Sequence, residues 1–159
     1  MEGLLLAQEL TRLGPLPQSH GNWRFPDAET FVLPVGDRNL WISSVPKAPR
    51  LQVREGRSQG GGRGSRFQQL LQARTAGDLL AVSQQRLDRV VRLEFGPGSG
   101  FVTSPPAVLI VELAGRNSNL ILTDESGRIL GVQREITAEQ NRHRQLLPGL
   151  QYRPPPEYD

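Results

Sequence analysis

Cysteine is absent from this 159-residue chain, which excludes a disulfide framework and every thiolate metal site and fits a reducing compartment. Histidine is nearly as scarce. His20 and His143 are too distant in sequence to share a helix face as metal ligands, so neither a metal nor another cofactor is expected. No hydrophobic run approaches membrane-spanning length. The amino terminus also lacks the pattern of a secretion signal, because Glu2 stands where positive charge is needed and the apolar run Leu4 to Ala7 is short. The chain is therefore expected to be cytoplasmic, without a membrane partner. Lysine is almost missing: of 19 Lys and Arg residues, Lys47 is the sole lysine.

What is abundant is arginine, glycine and proline. With Gly 17, Pro 13 and a hydrophobic fraction of 36%, many turns and few long helices are expected. The length fits one domain. The arginine excess has two readings, base composition of the gene or bidentate contact to phosphates and stacking on bases. From Lys47 to Arg74 the bases are Lys47, Arg50, Arg54, Arg57, Arg63, Arg66 and Arg74, against Glu55 alone. That local balance suits an anionic polymer.

Periodicity divides the chain into short elements. Leu4 to Leu13 reads as a helix stopped by Gly14 and Pro15. Thr30 to Val35 and Asn39 to Ser44 flank Gly36 to Arg38 as a hairpin, with Trp23, Phe31 and Trp41 assigned to its buried side. Leu51 to Val53 reads as a minor edge strand. Ser65 and Gln68 have capping-box spacing ahead of a helix running to Arg74. Strands follow near Leu79 to Ser83, Leu87 to Phe95, Ala107 to Leu113, Asn119 to Thr123 and Arg128 to Arg134, and Glu139 to Leu147 reads as a brief helix. The pattern predicts an α+β fold of β-sandwich-like antiparallel sheets with a few short helices.

The chemistry concentrates between Ala107 and Gly131. Val108 to Val111 and Leu120 to Leu122 are apolar strands, and between them stand Glu112, Gly115, Arg116, Asn117, Ser118 and Asn119. Such a corner is either a self-satisfied connection or a polar recognition surface. In the alternating strand Leu87 to Phe95, Arg89 shares the face of Val91, Leu93 and Phe95. It must reach water at the sheet end, pair with Glu112 or Asp88, or await a ligand. The mixture of amides, hydroxyl, carboxylates and arginines suits an RNA loop. No nucleophile with an adjacent base is evident, so an enzyme is not expected. The glycines from Gly60 to Gly64 lack the lysine of a phosphate-binding loop, and Gly96 to Gly100 lacks a dinucleotide context.

Four blocks carry a resemblance: GLLL at Gly3, LDRVVRLEF at Leu87, VELAGRNSNLILTDESGRIL at Val111 and NRHRQLLPGLQYRPPP at Asn141. Their order and spacing resemble the NFACT-N domain of the RqcH/NEMF family of ribosome quality control factors, whose bacterial members are also labelled fibronectin-binding protein A. The resemblance implies a single domain over residues 1–159, without the later helix-hairpin-helix, coiled-coil and NFACT-R regions. It also implies a fold similar to the amino-terminal domain of formamidopyrimidine DNA glycosylases. The implied partners are tRNA and the large (50S) ribosomal subunit with its stalled peptidyl-tRNA, in support of carboxy-terminal alanine tailing. By resemblance the RNA-binding residues are Asp88 and Arg89, matching a tRNA-holding Asp-Arg pair, and the Gly115, Arg116, Ser118 and Asn119 corner. Glu112 and Asn117 join them. Two other functions stand beside this one: a DNA-binding or DNA-processing domain, and a fibronectin-binding adhesin. The glycosylases use an amino-terminal proline as nucleophile, and position 2 here is Glu2.

Overall fold

The computed structural model describes residues 3–56, 64–85, 89–98 and 104–156, for 3–5 the backbone only. Arg57, Arg63, most of the Gly60 to Gly64 run, Leu87, Asp88 and the end of the Gly96 to Gly100 turn lie outside the described residues. Helix α1 (Gly3–Leu10) continues into a 3-10 turn at Thr11–Leu13 and stops at Gly14, with φ +86°. Strands β1 (Arg24–Asp27), β2 (Thr30–Val35), β3 (Arg38–Ser43) and β4 (Arg50–Glu55) form one antiparallel sheet in that order. After helix α2 (Arg66–Arg74), strands β5 (Leu79–Gln84), β6 (Val90–Phe95), β7 (Ala107–Glu112), β8 (Asn119–Asp124) and β9 (Ile129–Val132) form a second, five-stranded one. No helix among the described residues is long and apolar enough to cross a membrane.

The expected α+β arrangement of antiparallel sheets and short helices is present. Period-two alternation puts Phe31, Leu33, Leu40, Ile42, Leu51 and Val53 from one sheet, and Val91, Leu93, Leu109, Val111, Leu120 and Leu122 from the other, into one shared cluster. Two expectations are corrected, and one strand is additional. Strand β4 is a full six-residue edge strand rather than a minor one. Strand β1 was not anticipated: it is short and contains Pro26, tolerated because β1 is an edge. Trp41 does not join the buried side with Trp23 and Phe31. It lies between Leu40 and Ile42, which face the core, so it must face outward.

Helix α2 sits between the two sheets in sequence and ties them together. The expected capping box forms: the Ser65 hydroxyl accepts the Gln68 N–H at 3.1 Å, and the Gln68 carboxamide accepts the Ser65 N–H at 2.7 Å. Gln68 also donates to the Asp27 carbonyl (2.9 Å), and the Trp23 indole donates to the Thr75 hydroxyl at 2.8 Å, itself bonded to the Leu71 carbonyl.

All six residues of β7 are buried. One face meets the shared core, and the other carries Val108 and Ile110 into a second cluster with Ile121, Ile129, Val132 and Leu146, onto which Ile136 and Tyr152 pack. The cover is therefore the carboxy-terminal segment 136–152. It is not the helix expected at Glu139 to Leu147. Asn141 accepts the N–H groups of His143 (3.0 Å) and Arg144 (3.1 Å) on its side chain, which diverts them from helical carbonyls. An isolated bridge between Ile136 and Leu146 then closes the loop.

This strap is pinned by charge. The Arg144 guanidinium donates to both carboxylate oxygens of Glu112, and the Tyr152 hydroxyl donates to Glu112 Oε2 at 2.6 Å. The side chains of Arg144 and Glu112 are 13% and 4% exposed. Arg144 Nε reaches the Arg153 carbonyl at 3.0 Å. Burial first, and then the neighbouring Glu112 charge, push the Tyr152 hydroxyl well above its ordinary range.

Arg144→Met leaves a buried carboxylate unpaired and is expected to cost about 3–5 kcal/mol in urea unfolding, whereas the double change Glu112→Leu with Arg144→Met recovers most of it. The raised Tyr152 pKa also has a sign. The unfolded chain releases that proton near pH 10 while the folded one keeps it, so the stability it contributes is present below about pH 10 and is lost as pH rises above it. Urea midpoints at about pH 9 and pH 11 should show this alkaline loss in the parent and a smaller one in Tyr152→Phe. Packing gives an independent test. A Cβ at Gly77 would collide with the backbone carbonyl of Gly96, whereas one at Gly96 meets only Leu80 side-chain atoms, at 3.4 Å and beyond. Gly77→Ala is expected to lose about 1–3 kcal/mol, and Gly96→Ala clearly less in the same assay.

Candidate functional site

Antiparallel register gathers the start of β6, the end of β7 and the start of β8 at one end of the five-stranded sheet. Val90 pairs with Glu112, and Glu112 pairs with Asn119. The Leu113 N–H donates to the Arg89 carbonyl at 2.8 Å, so Arg89 stands beside the β7–β8 corner. Of the three possibilities open to its side chain, the structure shows exposure at the sheet end. The pairing with Glu112 is not made, because Arg144 and Tyr152 occupy that carboxylate. Asp88 lies outside the described residues.

The corner is a 3-10 turn at Gly115–Asn117. Gly115 has φ +60°, in the left-handed region, and a Cβ there would meet nothing within 4 Å, so conformation rather than space calls for glycine. The Ser118 hydroxyl donates to the Gly115 carbonyl at 2.6 Å and is buried. Asn119 is buried too and acts as a clasp. Its amide donates to the Arg134 carbonyl (2.8 Å), and its Oδ1 accepts the N–H groups of Leu120 and Arg134, each at 3.0 Å. These side chains satisfy backbone groups that the β8 start would otherwise leave unpaired.

Arg134 carries the clasp across to the first sheet. Its guanidinium donates to the Ser118 carbonyl, to the Glu29 carboxylate and, at 3.0 Å, to the Ser44 carbonyl. Glu29 lies in the β1–β2 turn and Ser44 follows β3, so one side chain fixes the corner to two points of the first sheet. Bidentate planarity suits arginine to this and would not suit lysine.

Between the corner, the segment after β9 and the Pro155–Pro156 exit lies a cleft of about 460 Å³. Glu112, Arg116, Asn117, Ser118, Asn119, Arg134, Glu135, Gln140, Asn141 and Arg144 line it. Most of this polarity is already spent. Glu112 pairs with Arg144, Arg134 with Glu29, and Asn141 and Gln140 close local turns. Arg116 and Asn117 are exposed, with no side-chain partner among the described residues. The expected site residues thus divide into two kinds. Glu112, Ser118 and Asn119 are buried and hold the corner, while Arg89, Arg116 and Asn117 face solvent on it. Sequence reasoning missed Arg134, Arg144, Gln140 and Asn141. The Asn141 block carries part of the family resemblance, but no local signal marks which of its residues turn inward.

Chemically the arrangement offers hydrogen-bond donors and two guanidinium groups without partners among the described residues, Arg116 on the turn and Arg89 beside it. Its hydroxyl, on Ser118, is committed to a carbonyl.

Comparisons with known proteins agree with one another. The family model for the NFACT N-terminal and middle domains matches residues 24–159. The protein named Rqc2 homolog RqcH from Streptococcus pneumoniae is 31% identical over 119 residues, covering 74% of this chain and 22% of that protein. Its namesake from Bacillus subtilis is 26% identical over 125 residues, 77% of this chain and 22% of that protein. This chain therefore spans about a fifth of the length of those curated relatives. Among solved structures, the N-terminal domain of the fibronectin-binding protein PavA from Streptococcus pneumoniae superposes with a TM-score of 0.87 at 25% identity, over 98% of this chain and 62% of that one. The N-terminal part of the fibronectin/fibrinogen-binding protein of Streptococcus suis gives 0.85 at 22% identity, covering 99% and 62%, a likeness of fold. On the family match and the four sequence blocks together, the chain belongs to the NFACT N-terminal family of the RqcH type.

Proposed function

We propose that this chain is a tRNA- and large-ribosomal-subunit-binding module of a ribosome quality control factor, acting by binding rather than by catalysis in support of alanine tailing of stalled nascent chains. One observation carries the reading. At the end of the five-stranded sheet, Arg89, Arg116 and Asn117 stand exposed without intramolecular partners among the described residues, on a corner that Ser118, Asn119 and Arg134 hold rigid. Free guanidinium groups hold phosphates and stack on splayed bases, and an exposed amide reads a base edge. Preorganisation matters, because an ordered corner has little conformational entropy left to lose on binding. The names of the S. pneumoniae and B. subtilis relatives point the same way. Asp88, next to Arg89 in sequence, is assigned to the same tRNA contact.

The exposed and buried groups should separate on substitution. Arg89→Ala and Arg116→Ala are each expected to weaken tRNA binding about three- to tenfold and to make its salt dependence shallower, with unchanged thermal unfolding. Asn119→Ala instead strands backbone groups and should lower stability by about 1–3 kcal/mol. Filter binding of tRNA, duplex DNA and fibronectin at one salt concentration tests the reading against its rivals. Saturable binding of fibronectin or duplex DNA that survives the arginine changes, with no tRNA binding, would overturn it in favour of an adhesin or a DNA-binding domain with a glycosylase-like fold.

A further inference from the structure

The outer face of the four-stranded sheet carries side chains that neither the core nor the corner uses. Because Leu40, Ile42, Leu51 and Val53 point inward, their alternating neighbours point away from the core. Register sets Arg24, Val32, Trp41 and Gln52 in one row across all four strands. Three inter-strand spacings make that row about 14 Å wide. Arg54 lies over the row, its guanidinium carbon 4.4 Å from the Trp41 ring centroid, and bonds to Gln52 Oε1 at 2.6 and 3.1 Å. Arg24, Arg50 and Arg54 are exposed and Trp41 is half-buried.

Among the outward-parity residues of β3 and β4, the ionisable ones are Arg50 and Arg54. The carboxylates at the margin are engaged: Asp27 accepts the Glu29 N–H and the Thr30 hydroxyl, each at 2.9 Å, and Glu9 pairs with Arg12 at 2.5 Å. Glu55, at the end of β4, has the parity of Val53 but is exposed, and it lines a cleft with Glu9, Gln52 and Arg54 at the sheet edge. A half-buried indole beside the fully buried Val32, with Arg50 and Arg54 on the same face, offers a ring edge and like charges that favour an anionic ligand.

We propose that this face binds an unpaired RNA strand, with Trp41 stacking on a base and Arg50 and Arg54 holding the flanking phosphates. Every base has a π face for the indole, and the arginines match the spaced negative charges of the backbone. An acidic peptide would satisfy the arginines and offer no flat surface to the ring. The Ser43 hydroxyl and the Gln52 amide, of the same outward parity, supply partners for a 2′-hydroxyl. Arg54 already shows that the ring accepts a planar cation on its face. On binding, Arg54 yields that place to a base and moves to a phosphate. This surface is separate from the corner and does not depend on it.

The test uses the 159-residue chain with a labelled oligo(A) RNA of about ten nucleotides, the matching oligo(dA), a fully paired RNA hairpin and a polyglutamate peptide. Oligo(A) is expected to bind and to quench tryptophan emission. Trp41→Leu should weaken that binding about tenfold while leaving the circular dichroism spectrum unchanged, and Trp41→Phe should keep it within about threefold. Joint substitution Arg50→Gln and Arg54→Gln should reduce the salt slope by about 0.7 for each arginine removed. Oligo(A) binding unchanged in folded Trp41→Leu, absence of quenching, or displacement of oligo(A) by the peptide would overturn the proposal. Equal affinity for oligo(dA) or the hairpin would overturn its assignment to unpaired RNA. A chain that fails to hold tRNA while still quenching on oligo(A) discards the reading of the corner and keeps this one.

Discussion

A carboxylate at the end of a strand buried on both faces is the constraint from which much of this molecule follows. Glu112 completes β7, whose six residues are all buried, and a charge there is tolerable only if paired and fully hydrogen-bonded. Arg144 and Tyr152 meet that demand from 32 and 40 positions downstream. In doing so they draw the strap 136–152 over Ile110, Ile121 and Ile129, which would otherwise form an open apolar face. The corner after β7 then has a fixed backing.

Reading the sequence located strands well and directions poorly. Runs such as Val108 to Val111 and the box Ser65 to Gln68 declare themselves locally, because periodicity and capping are short-range effects. Trp41 is expected on the buried side with Trp23 and Phe31, although the parity of Leu40 and Ile42 places it opposite. The expected helix at Glu139 to Leu147 failed because Asn141 bonds to the very backbone groups that a helix needs. The site divides in the same way. Its place was visible in the polar residues between two apolar strands, but Ser118 and Asn119 look like ligand-binding groups until their backbone partners are known. Arg134 was invisible, since its partner Glu29 is 105 residues away in sequence.

Arginine serves two opposed purposes here. Arg134 and Arg144 are partly or largely buried, with their donors consumed by carboxylates and carbonyls, and they are part of the frame. Arg89 and Arg116 stand exposed on the corner, and Arg50 and Arg54 on the outer sheet face. A net charge of +3 conceals this division, because the framing arginines are neutralised by Glu112 and Glu29 and the exposed ones project a local field of their own.

Strand order has a kinetic corollary. Within each sheet every strand pairs with its neighbour in the chain, β1 through β4 and then β5 through β9, with no crossover. Hairpins closed by short loops pay little loop-closure entropy, so each sheet is a low-contact-order unit. A ribosome making this chain from its amino terminus would release all four strands of the first sheet before the second begins. That sheet then waits with its inner face only partly covered, by the earlier α1 and its 3-10 turn, whose Leu6 and Leu13 join the core, and α2, which follows it and buries Phe67 and Leu71, is the next segment to emerge that can shield it.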